Sequence, residues 1–177
     1  MATPISHLAV PLALTAALGT HLVPPSLMLL ALAYAVLPDI DALGLWLGIP
    51  YAHAFCHRGF THSLLFSVLM AGAGALLAPA LGAQPLLAFL LLFVCIASHG
   101  LLDALTNGGL GVAFFSPFSQ RRYFLPWRVI VVSPLSLFAL LSWRGLRVLG
   151  SEVRTVLMPC LVFGLTGFAL RWLFGQA

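Results

Sequence analysis

The chain has 177 residues, of which 62% are hydrophobic and only 7% charged, against about 25% charged in a soluble domain. Such a composition cannot cover a folded surface in water, which excludes a soluble globular enzyme. The formal charge is +4, from eight arginines, no lysine and four acids; the arginines stand in ones and twos rather than on a basic face with interleaved aromatics, which argues against a nucleic-acid partner and for a role in membrane topology.

A helix needs about 20 mostly apolar residues to cross a bilayer, and proline, glycine and charge punctuate the apolar stretches of this chain. The first predicted span covers residues 5–23 and is closed by Pro24 and Pro25. Its flanks lack the basic start of a secretory signal, since the first basic residue is Arg58, so it reads as a retained span. The second runs from Ser26 to Ile49 and is interrupted by Pro38. Residues 63–98 carry neither a formal charge nor a histidine, too long a stretch for one crossing. Pro79, Gly82 and Pro85 divide it, giving a third span over 61–80 and a fourth over 85–105. The stretch NGGLGVAFFSPFSQRRYFLPWR then reads as an interfacial loop. Residues 130–143, with Pro134, are too short to cross and predict an interfacial or re-entrant segment. A polar stretch, 144–154, precedes a fifth predicted span over 155–174. There is no internal repeat, and Cys56, Cys95 and Cys160 lie far apart with no paired spacing, so they are assigned no chemistry. The expected fold is all-α: one integral membrane domain over 1–177, a polytopic bundle of four to five spans.

An ionisable residue inside a span costs about 2.5 to 3.5 kcal/mol on insertion scales, yet Asp39 and Asp41 sit in the second apolar stretch and Asp103 near the end of the fourth. His99 and Asp103, at i and i+4, share one helical face. Antiparallel threading brings His7, Asp39, Asp41, His57, His62, His99 and Asp103 to the same side of the membrane. Four histidines and three aspartates presented at one level from facing helices are the ligand types of a metal site.

His57 and His62 are five apart and do not stack on one straight helix. They fit if His57 lies in the loop, Gly59 permits the turn and Thr61 caps the helix that His62 begins. Asp39 and Asp41 diverge on a regular helix, but Pro38 predicts a break where irregular backbone lines a cavity. Asp39 is then the ligand, and Asp41 a helix cap, a partner of the ligands or a free carboxylate that takes a proton. His7 is either a ligand or a residue at headgroup level, whereas His21, at the far end, and His53, in the loop, stay outside the site. Arg58, between two candidate ligands, suits anion binding or transition-state charge stabilisation. Arg121, Arg122 and Arg128 suit lipid headgroups or capture of a substrate phosphate.

The strings LPDIDALG, HRGFTHSLL and HGLLDALTNGG, followed by SPF, resemble the YdjM-like family of predicted membrane-bound, metal-dependent hydrolases of the bacterial inner membrane. The resemblance covers residues 6–127. It implies a metal-dependent hydrolase whose ligands are Asp39, Asp41, His57, His62, His99, Asp103 and His7.

A mixed histidine and carboxylate set suits Zn²⁺ first, with Mn²⁺ or Fe²⁺ as alternatives, and seven candidates exceed the four of a simple zinc site, so one or two ions are expected. The expected chemistry is hydrolysis by a metal-activated water of a membrane lipid or lipid-like substrate, at a phosphoester before an acyl ester or amide. A metal transporter would place polar groups on both sides of the midplane, and a structural metal site would be coordinatively closed. No oligomeric state follows from the sequence. The arginines of the 121–128 loop lie on the ligand side, which predicts a cytoplasmic N-terminus and a site opening toward the cytoplasmic leaflet. A topology reporter fused within the Arg121 loop is expected to read out in the cytoplasm; an external signal would overturn this orientation.

Overall fold

The computed structural model describes residues 1–134 and 142–175, and within them it is helical, with no strand. Helix α1 (Pro4–Leu18) starts on a proline that needs no amide partner there, and it ends at Gly19, whose left-handed φ of 86° turns the chain while its N–H bonds to Thr15 O. The expected span over 5–23 is therefore too long: α1 has 15 residues, about 22 Å at 1.5 Å per residue, which is short of the hydrocarbon thickness.

Helix α2 (Pro25–Val36) tightens into a 3₁₀ stretch over Leu37–Ala42 and resumes as α3 (Leu43–Trp46). Together they form an apolar stretch of 22 residues that is long enough to cross. The tightening begins at Pro38, which lacks an amide proton and crowds the preceding turn. After a loop, a short 3₁₀ turn over Phe60–His62 leads into α4 (Leu64–Leu77). The cap of α4 is Ser63, whose hydroxyl accepts from Phe66 N at 3.1 Å. Thr61 was expected to be that cap; its hydroxyl points instead to Asp41 and Pro38, because His62 is still in the 3₁₀ turn. A 3₁₀ turn over Ala78–Leu81 and left-handed Gly82 reverse the chain into α5 (Pro85–Ala104).

Residues 105–134 are irregular, which includes the loop expected over 107–128, and are held by isolated bridges between Thr106 and Ile130 and between Val112 and Tyr123. Of the expected re-entrant segment over 130–143, residues 135–141 lie outside the described residues, and 130–134 form no helix. Beyond it, the polar stretch 144–154 ahead of the fifth expected span is itself helical. Helix α6 (Trp143–Glu152) runs through a π-helical turn, Val153–Leu157, into α7 (Met158–Leu173). It folds as a helix because Gly145, Val148, Glu152 and Val156 share one buried stripe, leaving its arginines outside. The whole stretch is 31 residues, about 46 Å, so its first turns lie beyond the hydrocarbon. Four helical stretches, Pro25–Trp46, Leu64–Leu81, Pro85–Ala104 and Trp143–Leu173, are long and apolar enough to span a membrane.

Small residues let these helices approach. Leu27, Ala31 and Ala35 of α2 repeat every four positions and are fully buried with Ala71 of α4 and Ala88, Leu92 and Cys95 of α5. On the other side Gly164 and Gly167 of α7 lie against Ala13, Ala16 and Ala17 of α1. A Cβ at Gly167 would overlap Ala17, whereas one at Gly72 meets nothing within 4 Å. Gly167→Val is therefore expected to separate α7 from α1 and to destabilise the detergent-solubilised protein by about 1–3 kcal/mol, the range for overpacking. Gly72→Ala is expected to leave the thermal unfolding midpoint unchanged or slightly higher.

Candidate metal centre

The break at Pro38, the loop before α4, the first turns of α1 and the last turns of α5 meet at one end of the bundle. His99 and Asp103 leave α5 on the same face. Pro38 ends the regular helix so that Asp39 and Asp41 both face His57, with Oδ1 atoms 3.9 and 3.1 Å from His57 Nδ1. The HRGFTH loop turns at Arg58, which has a left-handed φ of 64°. Gly59 serves by lacking a Cβ rather than by positive φ: a side chain there would strike the carbonyls of Ala54 and Cys56. All seven residues expected at the site are thus gathered, and His7, Asp41, His57, His62, His99 and Asp103 are buried.

The hydrogen bonds divide this cluster. His99 Nδ1 lies 2.7 Å from the Ala35 carbonyl, which can only accept, so Nδ1 carries a proton, and in the neutral ring Nε2 presents a lone pair. His62 Nδ1 lies 3.0 Å from Asp41 Oδ2, which sets the same tautomer. Burial pushes the His62 imidazole below the ordinary histidine range, which favours the neutral ring. His99 Nε2 then faces Asp39 Oδ1 at 3.3 Å, and His62 Nε2 lies 3.8 Å from both Asp39 Oδ1 and Asp103 Oδ2. His62 Nε2, His99 Nε2 and Asp39 Oδ1 are buried and have no hydrogen-bond partner.

Lone pairs converging in a buried site repel unless a proton or a cation sits among them. Tetrahedral coordination with bonds of about 2.0–2.2 Å separates ligand atoms by about 3.3–3.6 Å, close to the spacing here. Asp39, His62, His99 and Asp103 offer atoms that all lie within 4.8 Å of one another. Three carboxylates and the single guanidinium of Arg58 leave two negative side-chain charges in the cluster, which a divalent ion would balance. The residues therefore fit a metal. A second group, Asp39, Asp41, His57 and His62, meets the same distance criterion. Its Asp41 side is satisfied, with His57 Nδ1 donating to Asp41 Oδ1 at 3.1 Å and Thr61 to Asp41 Oδ2 at 2.5 Å, whereas Asp39 Oδ1 and His62 Nε2, which it shares with the first group, are unpartnered.

His7 stacks on His99 with ring centroids 3.6 Å apart, and its Nε2 is 3.8 Å from Asp103 Oδ1. Both of its nitrogens lack hydrogen-bond partners. It adjoins the four-residue group without belonging to it.

The arginines differ from expectation. Arg58 is fully buried, and its donors go to Asp103 Oδ2 at 2.9 Å, Thr106 Oγ1 at 2.8 Å and the Gly108 carbonyl at 2.8 Å. A guanidinium engaged in this way holds Asp103 rather than an incoming anion. Arg122 donates to the carbonyls of His57, Arg58, Tyr51 and His53, so it staples the HRGFTH loop instead of facing a substrate. Arg121 and Arg128 are exposed, with their guanidinium groups over the rings of Tyr123 and Phe124. His53 is exposed, and His21 lies at the opposite end near Gly19.

Several partners carried no signal in the sequence: the Ala35 carbonyl on His99, and the Ala2 N–H, which donates to Asp103 Oδ1 at 2.7 Å. A cavity of about 260 Å³ reaches the cluster at Asp39, whose side chain is 15% exposed. Ala42, Leu43, Trp46 and Pro134 line it, so its walls are mainly apolar.

Fold and site together define a multi-pass membrane protein with a buried histidine and aspartate cluster able to hold a metal. The chain belongs to the YdjM inner membrane protein family, whose model matches residues 1–176. It is 40% identical over 164 residues to Inner membrane protein YbcI of Escherichia coli (strain K12), covering 90% of this chain and 92% of that protein. No solved structure matches it. The chain is accordingly a multi-pass inner membrane protein.

Removing Arg58 strands Asp103 as an unpaired buried charge. Arg58→Leu is expected to destabilise the protein by about 3–5 kcal/mol, with Arg58→Lys intermediate because one ammonium cannot span the three acceptors. Thermal unfolding in detergent checks this order.

Proposed function

We propose that this protein is a membrane-embedded, metal-dependent hydrolase acting on a lipid or lipid-like phosphoester. The observation that carries this reading is the set of three buried, unpartnered ligand atoms, His62 Nε2, His99 Nε2 and Asp39 Oδ1, that face one another beside Asp103. Asp39, His62, His99 and Asp103 would hold the ion. Zn²⁺ suits this donor set, with Mn²⁺ or Fe²⁺ as alternatives. When bound, a divalent ion supplies Lewis-acid activation of water and of the scissile group. A second ion would draw on Asp41 and His57, which join Asp39 and His62 in the overlapping group.

The chain's own residues provide the remainder. Asp41 and the Ala35 carbonyl fix the tautomers of His62 and His99, so that Nε2 of each faces inward. Arg58 and the Ala2 N–H hold the two oxygens of Asp103. Asp41, bonded to His57 Nδ1, forms with it the pair that accepts the proton released from the attacking water. The apolar cavity beside Asp39 admits an amphiphile from the bilayer, with exposed Trp46 at its edge.

Orientation follows from the arginines. Arg58, Arg121, Arg122, Arg128, Arg144, Arg147 and Arg154 belong to the site end, and Arg171 bonds Ala16 O at the other. This excess would put the site at the cytoplasmic leaflet, where exposed Arg121 and Arg128 meet headgroups. Ferrying of an ion across the membrane is disfavoured, because the opposite end carries only His21 and Arg171 as basic side chains and no acid among the described residues.

The test is elemental analysis of freshly purified full-length protein, followed by assays on vesicles carrying phospholipid phosphoester, acyl ester or amide substrates. One or two equivalents of Zn²⁺, Mn²⁺ or iron are expected per chain, lost in His62→Ala and His99→Ala but kept in His53→Ala, together with phosphoester hydrolysis that the same two variants abolish. Release of fatty acid instead would move the bond to an acyl ester or amide. Absence of metal after loading with Zn²⁺ or Mn²⁺ would overturn the reading.

A further inference from the structure

Glu152 is the one acid outside the cluster, and it is fully buried. It occupies the inward stripe of α6 between Val148 and Val156, at i−4 and i+4, where an apolar side chain would pack without a desolvation cost. Among the described residues no arginine or histidine forms an ion pair with it. Its carboxylate instead accepts from the Thr3 backbone N–H at 2.5 Å and from the Thr3 hydroxyl. Thr3 is the N-cap of α1, yet its side chain makes no capping bond, because its hydroxyl is turned to Glu152. The positive end of α1 and these two donors together make the buried charge tolerable.

What this arrangement fixes lies one residue away. The Ala2 N–H donates to Asp103 Oδ1 at 2.7 Å. Ala2 itself is fully buried in a small core with Ile130 and Val156. Holding the Ala2–Thr3 peptide at its N–H restricts how far the adjoining Met1–Ala2 amide can swing from Asp103, and the same clamp lies at the start of the helix that carries His7. Arg58 secures the other oxygen of Asp103.

We infer that Glu152 is a positioning residue for the metal centre: through Thr3 and Ala2 it orients Asp103, and so the C-terminal helix tunes the affinity of the site for a divalent cation. The inference rests on the metal reading above. Outer partners of metal ligands typically alter affinity by about 10–100-fold, and this one acts through a single peptide unit.

Zn²⁺ and Mn²⁺ binding to metal-stripped full-length protein in detergent, measured by competition with a chromophoric chelator beside the thermal midpoint of the metal-free form, tests it. Glu152→Ala is expected to weaken Kd about tenfold or more, and Glu152→Gln less, because an amide oxygen still accepts one bond. Thr3→Ser, which keeps both donors, is expected to bind as wild type, and Thr3→Val, which keeps only the N–H, to fall between. Val148→Ala loosens the same helix without touching Thr3, so it is expected to lower the midpoint while leaving Kd unchanged. If Glu152→Ala folds and binds with wild-type Kd, or if Val148→Ala weakens binding as much, Glu152 serves docking alone and the inference fails. Should Glu152→Ala not fold, Thr3→Val decides: wild-type Kd there overturns the proposal. Wild-type protein that binds neither ion overturns the metal reading, and this inference with it, a result distinguishable from metal retained in every variant.

Discussion

A carboxylate with no exposure to solvent, Asp103 near the end of an apolar helix, is the constraint around which this end of the protein is organised. In a low-dielectric interior an unpaired charge costs several kcal/mol, so the chain must bring donors to it. Arg58 supplies one from the loop before α4 and Ala2 another from ahead of α1. Arg58 in turn needs acceptors, and Thr106 and Gly108 provide them, which folds the start of the 105–134 loop back over the bundle. The Arg58 carbonyl accepts from Ala113 N and Arg122, drawing the loop down further. One buried charge thus ties the N-terminus, two loops and α5 to one another.

Only some of the remaining polar groups obey the same logic. His57, Thr61 and one side of His62 satisfy Asp41, and the Ala35 carbonyl satisfies one side of His99. The inward sides of His62, His99 and Asp39 are left facing one another. Both nitrogens of His7 and the hydroxyl of Ser6 are unpartnered as well, but only the atoms of His62, His99 and Asp39 face one another beside Asp103, an arrangement able to hold a metal ion. The bundle that frames them is held by small residues, since lipid offers no hydrophobic drive between helices and close backbone approach must supply the attraction.

Position at one end of the helical bundle gives this centre its character. The helices that line it end there, α3 continues past Pro38 with Trp46 87% exposed, and the cavity beside Asp39 is walled by apolar side chains. The opening at Asp39 is therefore bordered mainly by apolar side chains.

Much of this was legible in the sequence. Proline and glycine punctuation located α2, α4 and α5 within a few residues, and the i, i+4 spacing of His99 and Asp103 placed both on one face, because helical periodicity and chain breaking are local properties. Antiparallel threading of apolar stretches also gathered the seven polar residues at one end. Other features were decided by contacts between residues far apart in the chain. The polar stretch after Trp143 is helical because Glu152 finds Thr3, 149 residues away, and its stripe finds the core around Ala2. Helix α1 stops at Gly19, so an apolar run long enough to cross became a shorter helix packed on α7. Arg58 and Arg122 read as groups for a substrate because a free guanidinium and an engaged one are spelled alike; only the fold shows which acceptors surround them. Residue types and spacing thus determined which side chains could meet, whereas the tertiary structure decided which of their atoms are satisfied. Hydrogen bonding depends on the direction of each lone pair and on backbone amides that have no signature in the sequence.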